Sequence, residues 1–384
     1  MHCVLVSHTH WDREWYRSFQ SFRARLVDAI DCVLDLVRDD PGYRFVLDGQ
    51  TIVLEDYVEI RPERRAELEA AIRGRRLAIG PWYVQPDSLL PQGETHVRNL
   101  LEGRRVGQDF GPVSEVAYTP DSFGHPAQFP QLMRGFGLDG FVYWRGNGSE
   151  IERLGANWIW NAPDGTRMLA CHLSYGYFSA AGLGSDPAQA VEPLRNLAER
   201  LARFSDGEHV ILMNGSDHRH PDPQTGAVAR ALEDKTGWTV ERGLMDAYTR
   251  RISREGLPEF TGELIGGRLA NLLPGVWSTR TYLKLRNRQC EAELLGWAEP
   301  WAALGRLFGA PDEQSGVRTA WRSLLPNQAH DSICGCSQDA VHRQMLYRYD
   351  YAGELARETS ERVLERLRVA ARRWEDDRKR AEVQ

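Results

Sequence analysis

Short runs rich in β-branched and aromatic residues alternate with amphipathic stretches from the first residue to about position 260. That alternation limits the fold more than any other feature. "CVLVS" (3–7), "YRFVLDG" (43–49), "RLAIGPWYVQPDS" (76–88), "SEVAYT" (114–119), "GFVYWRG" (140–146) and "HVILMNG" (209–215) read as strands. Between them, Phe22, Leu26, Ile30, Val33, Leu34 and Val37 fall at helical spacing. "RAELEAAIRG" (65–74) reads as a helix stopped by glycine, and 96–110 and 187–204 are further helices. "WIWNAPDGTRMLACHLS" (158–174) reads as a hairpin around Asp164-Gly165. Strands that alternate with helices imply an α/β fold, a largely parallel sheet flanked by helices.

Open sheets of this kind bind ligands beyond the carboxyl ends of their strands. At those ends the sequence places His8, His10 and Asp12, then Asp48, Asp87, Asp121, Tyr143 with Trp144, and Asp217 with His218. From about 280 the pattern turns helical and rich in Arg, Leu, Ala and Glu. Leu364, Leu367, Ala371 and Trp374 form one stripe of the last helix. Three long helices with short connections predict an antiparallel bundle. One polar loop, "LPNQAHDSICGCSQDA" (325–340), interrupts it. The expected division is an α/β catalytic domain over 1–262 and a helical bundle domain over 263–384 that contributes the His330 loop.

A chain of 384 residues with net charge -6 is a poor polyanion binder, so nucleic acid is not an expected partner. No run is long and apolar enough to span a bilayer, so no membrane association is expected. Charged and polar residues arrive by His8, which does not fit a secretory leader. The six cysteines make no disulfide or zinc-module pattern, so a reduced, cytoplasmic setting is expected and Cys334 and Cys336 read as reduced structural thiols. Twelve tryptophans suit a carbohydrate site and a large aromatic core equally.

In extended chain beyond the first strand, His8, His10 and Asp12 point the same way. His10 and Asp12 can supply two metal ligands, His330 a third and Asp87 a fourth. Two imidazoles and two carboxylates suit zinc. Asp331 can orient a ligand or accept a sugar hydroxyl. Each has a plainer reading: Asp87 starting a turn after Pro86, His330 flanking a helix cap, Asp217 capping the helix that follows. A rival constellation pairs His8 and His10 with His218 and His220, as in amidohydrolase-like or phosphoesterase barrels.

"HTHWDREWY" (8–16), "IGPWYVQPDSLLPQGETHVRNLLEG" (79–103), "YTPDSFGHPAQFPQLM" (118–133), "NGSDH" (214–218), "NLLPGVWSTRTYLK" (271–284) and "NQAHDSICGC" (327–336), taken in order, resemble the glycoside hydrolase family 38 α-mannosidases, their bacterial branch above all. The resemblance runs from residue 7 to about 342. It implies a seven-stranded α/β barrel-like domain, a helical bundle, and a zinc-dependent retaining α-mannosidase acting on a carbohydrate substrate. It assigns His10, Asp12, Asp87 and His330 to Zn2+, with Asp87 also the nucleophile. Trp15, Asp121 and Asp331 become substrate-binding residues. The pattern departs at the general acid, where the chain shows Tyr175-Gly176-Tyr177; Asp217 is the expected replacement and Asp186 the alternative. It departs again after the bundle, where family members continue into β-rich domains. An exposed bundle face then leaves self-association into a homo-oligomer open, and a catalytically inactive mannose-binding relative is the second rival.

Overall fold

The computed structural model describes residues 1–184, 186–310 and 312–382. Among these, ten strands appear: β1 (His2–Thr9), β2 (Phe45–Leu47), β3 (Leu77–Ala78), β4 (Val116–Thr119), β5 (Gly140–Tyr143), β6 (Asn157–Asn161), β7 (Arg167–His172), β8 (His209–Asn214), β9 (Thr239–Arg242) and β10 (Glu259–Thr261). They form two five-stranded sheets. The first runs β3-β2-β1-β8 with β9 also on β1, all parallel. The second runs β10-β6-β7-β5-β4 and is parallel except for the β6–β7 hairpin. The expectation of a mainly parallel α/β architecture is met, and so is the hairpin.

β1 is buried from Cys3 onward because it lies inside the first sheet and is covered on both faces. Its side chains alternate between two cores. Cys3 and Leu5 pack against the helices Pro187–Ala202 and Thr225–Thr236. Val4 and Val6 enter an interior they share with Val46 of β2, Val116 and Tyr118 of β4, Val142 of β5, Leu169 of β7 and Ile211 of β8. Residues of both sheets therefore enclose one core; all strands of the first sheet, and β4, β5 and β7 of the second, point their carboxyl ends to one edge of their own sheet.

Beyond β10 the chain is helical. A helix over Thr281–Glu293 continues through a wider turn at Leu294–Ala298 into Glu299–Leu307. Gln314–Leu324 follows, and the last described helix is the 44-residue Asp339–Glu382. Leu294, Trp321, Leu324, Met345 and Tyr349 share a core with Val53, Leu54 and Tyr57 of the α/β part, so the two regions are packed as one body. In the last helix Leu364 and Leu367 are half-buried, whereas Trp374 is 64% exposed. The apolar stripe thus outruns the part of the helix that neighbours cover. Among the described residues no helix is long and apolar enough to cross a membrane.

Three buried imidazoles give the fold a pH signature. Burial pushes His96 and His172 down to about 4 and His125 down to about 3. Their partners suit neutral rings: His96 donates to the Ser88 carbonyl, His172 to the Trp144 carbonyl, and His125 pairs with the Ser88 hydroxyl. Unfolded histidines bind protons near pH 6.5 and these folded ones do not, so their stabilisation is complete above 6.5 and is lost as pH falls toward 4. Each adds a slope of up to about 1.4 kcal/mol per pH unit in that window. Urea unfolding between pH 7.5 and 5 should show His172→Asn reducing this slope by about one proton relative to the native chain; an unchanged slope would contradict a neutral buried His172.

Candidate metal centre

His10 follows β1 directly, and its main chain bridges to Asp217 beyond β8. The His10 carbonyl accepts from the His218 amide at 2.9 Å. A glycine makes this approach feasible: a Cβ on Gly215 would lie 2.0 Å from the His8 carbonyl oxygen. On the other side β2 pairs with His8 and Thr9, which puts Asp48 beside His10. Asp48 is fully buried in left-handed backbone, φ 48°. Its carboxylate accepts from His10 Nδ1 at 2.9 Å, from the Trp11 amide at 2.9 Å and from Gln50 Nε2 at 2.7 Å. With Nδ1–H committed to Asp48, His10 presents Nε2.

That nitrogen lies 3.3 Å from Asp12 Oδ1, and His330 Nε2 lies 3.3 Å from the same oxygen. The two imidazoles stack with centroids 5.2 Å apart. His10 Nε2, Asp12 Oδ1 and His330 Nε2 are buried and have no hydrogen-bond partner. One ligand atom from each of His10, Asp12 and His330 lies within 4.8 Å of the others. Buried polar atoms without partners are costly. Two imidazole nitrogens and a carboxylate oxygen facing one point are a donor set that fits a divalent transition metal such as zinc. Burial disfavours a charged His10, but Asp48 and Asp12 outweigh it and raise its proton affinity well above the ordinary value. Burial likewise pushes Asp12 up, yet His10 and His330 bring it below the usual carboxylate range.

His330 reaches this point from the helical region by pairing with the α/β part. The stretch 85–87 runs antiparallel to 328–330, with the Asp87 amide on the Gln328 carbonyl at 2.9 Å and the His330 amide on the Gln85 carbonyl at 3.2 Å. Glu14, 2% exposed, ties the two ligand loops together. It accepts from the Ser332 hydroxyl at 2.8 Å and from both terminal nitrogens of Arg348.

The other sequence-derived residues surround this group. Asp87 is fully buried in the stretch beside His330, but its carboxylate is not one of the three clustered groups. Asp121 Oδ2 and Asp331 Oδ2 each lie 3.9 Å from His330 Nε2. Arg145 Nε donates to Asp121 Oδ1 at 2.6 Å. Burial, with Asp12 adding to it, pushes Asp331 up to about 7. Burial raises Asp121 too, against the opposing Arg145 charge. Asp217 is half-buried and accepts from the Tyr177 hydroxyl at 2.7 Å. Trp15 is half-buried with its ring 4.9 Å from Tyr16. Asp186 caps the helix at Pro187 and is exposed. In the rival constellation, His8 Nε2 is held by the Tyr177 carbonyl, His218 Nε2 by the Asp12 carbonyl, and His220 is exposed. Asp48 carried only a strand-end signal in the sequence; Glu14, Arg145, Tyr177 and Arg348 carried none.

Comparison with known proteins places this geometry. The family pattern described as "Glycosyl hydrolases family 38 N-terminal domain" matches residues 1–263, and "Alpha mannosidase middle domain" matches 271–367. The chain is 36% identical over 370 residues to a Halalkalibacterium halodurans protein named "Putative mannosylglycerate hydrolase", covering 90% of this chain and 40% of that one. It is 27% identical to "Alpha-mannosidase 2C1" of Mus musculus, covering 90% of this chain and 33% of that protein. A crystal structure of an alpha-mannosidase from Enterococcus faecalis V583 superimposes with a TM-score of 0.89 at 31% identity, over 95% of this chain and 42% of that chain. The chain therefore spans between 33% and 42% of the length of these relatives.

Metal analysis after equilibrium dialysis against zinc should find one ion per chain. His330→Ala should weaken its binding at least about 100-fold, and Asp48→Ala about 10- to 100-fold through loss of the Nδ1 partner. Because the ion competes with protons on His10, affinity should rise with pH through neutrality. Unchanged zinc affinity in His330→Ala would contradict the site.

Proposed function

The chain belongs to glycosyl hydrolase family 38, and from that premise we propose a zinc-dependent retaining α-mannosidase that releases a terminal α-linked mannose from a glycan or small mannoside. The observation that carries this reading is the convergence of His10, Asp12 and His330, buried and without partners, from opposite ends of the sequence. We take 1–262 as the α/β catalytic domain and 263–384 as an antiparallel three-helix bundle that lends His330. The shared interior of the two sheets supports reading β1–β5, β7 and β8 as one seven-stranded barrel-like wall. The relative named for mannosylglycerate makes a small acidic aglycone one candidate leaving group. A cytoplasmic setting is supported by six cysteines that are all free thiols.

His10, Asp12, His330 and Asp87 would hold the zinc, which when bound supplies Lewis acidity and an anchor for sugar hydroxyls. Asp87 attacks the anomeric carbon. As that bond forms, the bond to the aglycone oxygen breaks, and the departing oxygen takes a proton from Asp217. Asp217 then removes a proton from the water that hydrolyses the ester. Tyr177 holds Asp217 Oδ1, which leaves Oδ2 to carry the proton. Asp121 and Asp331 accept sugar hydroxyls. Trp15 offers a ring face to the sugar.

On an aryl α-mannoside, Asp87→Ala should lower kcat by about a thousandfold or more. In kcat/KM, Asp217→Ala should lose about 10²- to 10⁴-fold on a poor leaving group and much less on an activated one, whose departure needs no proton, while kcat stays low on the activated one because ester hydrolysis lacks its base. EDTA should abolish turnover and zinc restore it. Mannose binding without turnover at full zinc loading would identify an inactive sugar-binding relative instead. Cleavage of an aryl phosphate or amide, with none of the mannoside, would indicate another metallohydrolase.

A further inference from the structure

The two oxygens of Asp87 are held differently. Oδ1 accepts from the main-chain amides of Leu89 at 2.8 Å and Leu90 at 2.7 Å. Oδ2 accepts from the thiol of Cys334 at 3.1 Å. Both side chains are fully buried, so water does not stand in for either contact. An S–H group is a weak donor beside an amide. Oδ2 therefore keeps more of the carboxylate's charge while its direction is still set.

Cys334 owes its place to the turn that carries His330. Its amide donates to the His330 carbonyl at 3.2 Å, and its own carbonyl accepts from Lys284 Nζ at 2.9 Å. Gly335 then turns the chain away at φ 79°. One short turn thus presents His330 to Asp12 and the Cys334 thiol to Asp87, four residues apart on the same side.

We propose that Cys334 is a positioning residue for Asp87, fixing the plane of its carboxylate through Oδ2 and leaving that oxygen to form the new bond to the anomeric carbon. This rests on the reading of Asp87 as nucleophile. In the step itself, the Oδ2–C1 bond forms and the C1–aglycone bond breaks. The electron pair leaves with the aglycone oxygen, which takes its proton from Asp217. The thiol keeps its own proton throughout and is neither oxidised nor reduced. A hydroxyl in its place would bind Oδ2 through a shorter side chain; a methyl group would leave Oδ2 without a donor and the carboxylate held through Oδ1 alone.

Cys334→Ala, Cys334→Ser, Cys290→Ser and Asp87→Ala test this on an aryl α-mannoside, with zinc content and thermal midpoint measured for each. Cys290 is a buried control whose thiol donates to the Tyr349 carbonyl in the helical region. Cys334→Ala should lower kcat about tenfold, the scale of one hydrogen bond, with KM changed less than about twofold and zinc content unchanged. Cys334→Ser should recover most of that loss, and Cys290→Ser should match the native chain. Where the alanine cavity prevents folding, Cys334→Val fills the space without a donor and should show the same loss. Native kcat in Cys334→Ala beside an inactive Asp87→Ala would overturn this role alone. Serine no better than alanine, or zinc lost from Cys334→Ala, would overturn it too. An active Asp87→Ala would instead remove the nucleophile reading beneath it.

Discussion

Asp12 Oδ1 stands 3.3 Å from two imidazole nitrogens, and none of the three atoms has a hydrogen-bond partner. In a buried site desolvated polar atoms without partners cost free energy, which a group bound by all three would offset. A divalent ion is the group that suits such a donor set. Much of the surrounding structure keeps these atoms in place. Asp48 fixes the His10 ring, Gly215 lets the β8 loop pass close to His8, and Glu14 joins the Asp12 loop to Ser332 and Arg348.

The same constraint explains why the helical region is inseparable from the α/β part. His330 and Arg348 belong to the helical region, yet both act on residues of the opening loop. A core shared across the boundary fixes their distance. The pairing of 85–87 with 328–330 then brings a carboxylate, Asp87, alongside His330. The site is thus a product of docking as much as of either region's own fold.

How much of this could be read from sequence depended on how local the cause was. A side chain just past the end of a parallel strand faces the mouth of the sheet, so His10, Asp12, Asp121 and Asp217 were legible as edge residues. The period-3.6 stripe located the helices, but Trp374 shows its limit: the pattern marks an apolar face without saying whether anything covers it. The approach of His330 to Asp12 has no local cause; the residues offered His330 as a possible third ligand, and the ordered motifs of a known family assigned it. Glu14 looked like one charge in a polar loop, because its partner Arg348 is 334 residues away. Cys334 read as a structural thiol because nothing in the spacing places it against Asp87.

The most direct test of the central claim is zinc K-edge X-ray absorption on the loaded protein. The account predicts a first shell of nitrogen and oxygen near 2.0–2.1 Å with the outer-shell scattering of two imidazoles. A sulfur scatterer near 2.3 Å would contradict it, because it would put the ion on Cys334 or Cys336 rather than at the meeting point of His10, Asp12 and His330.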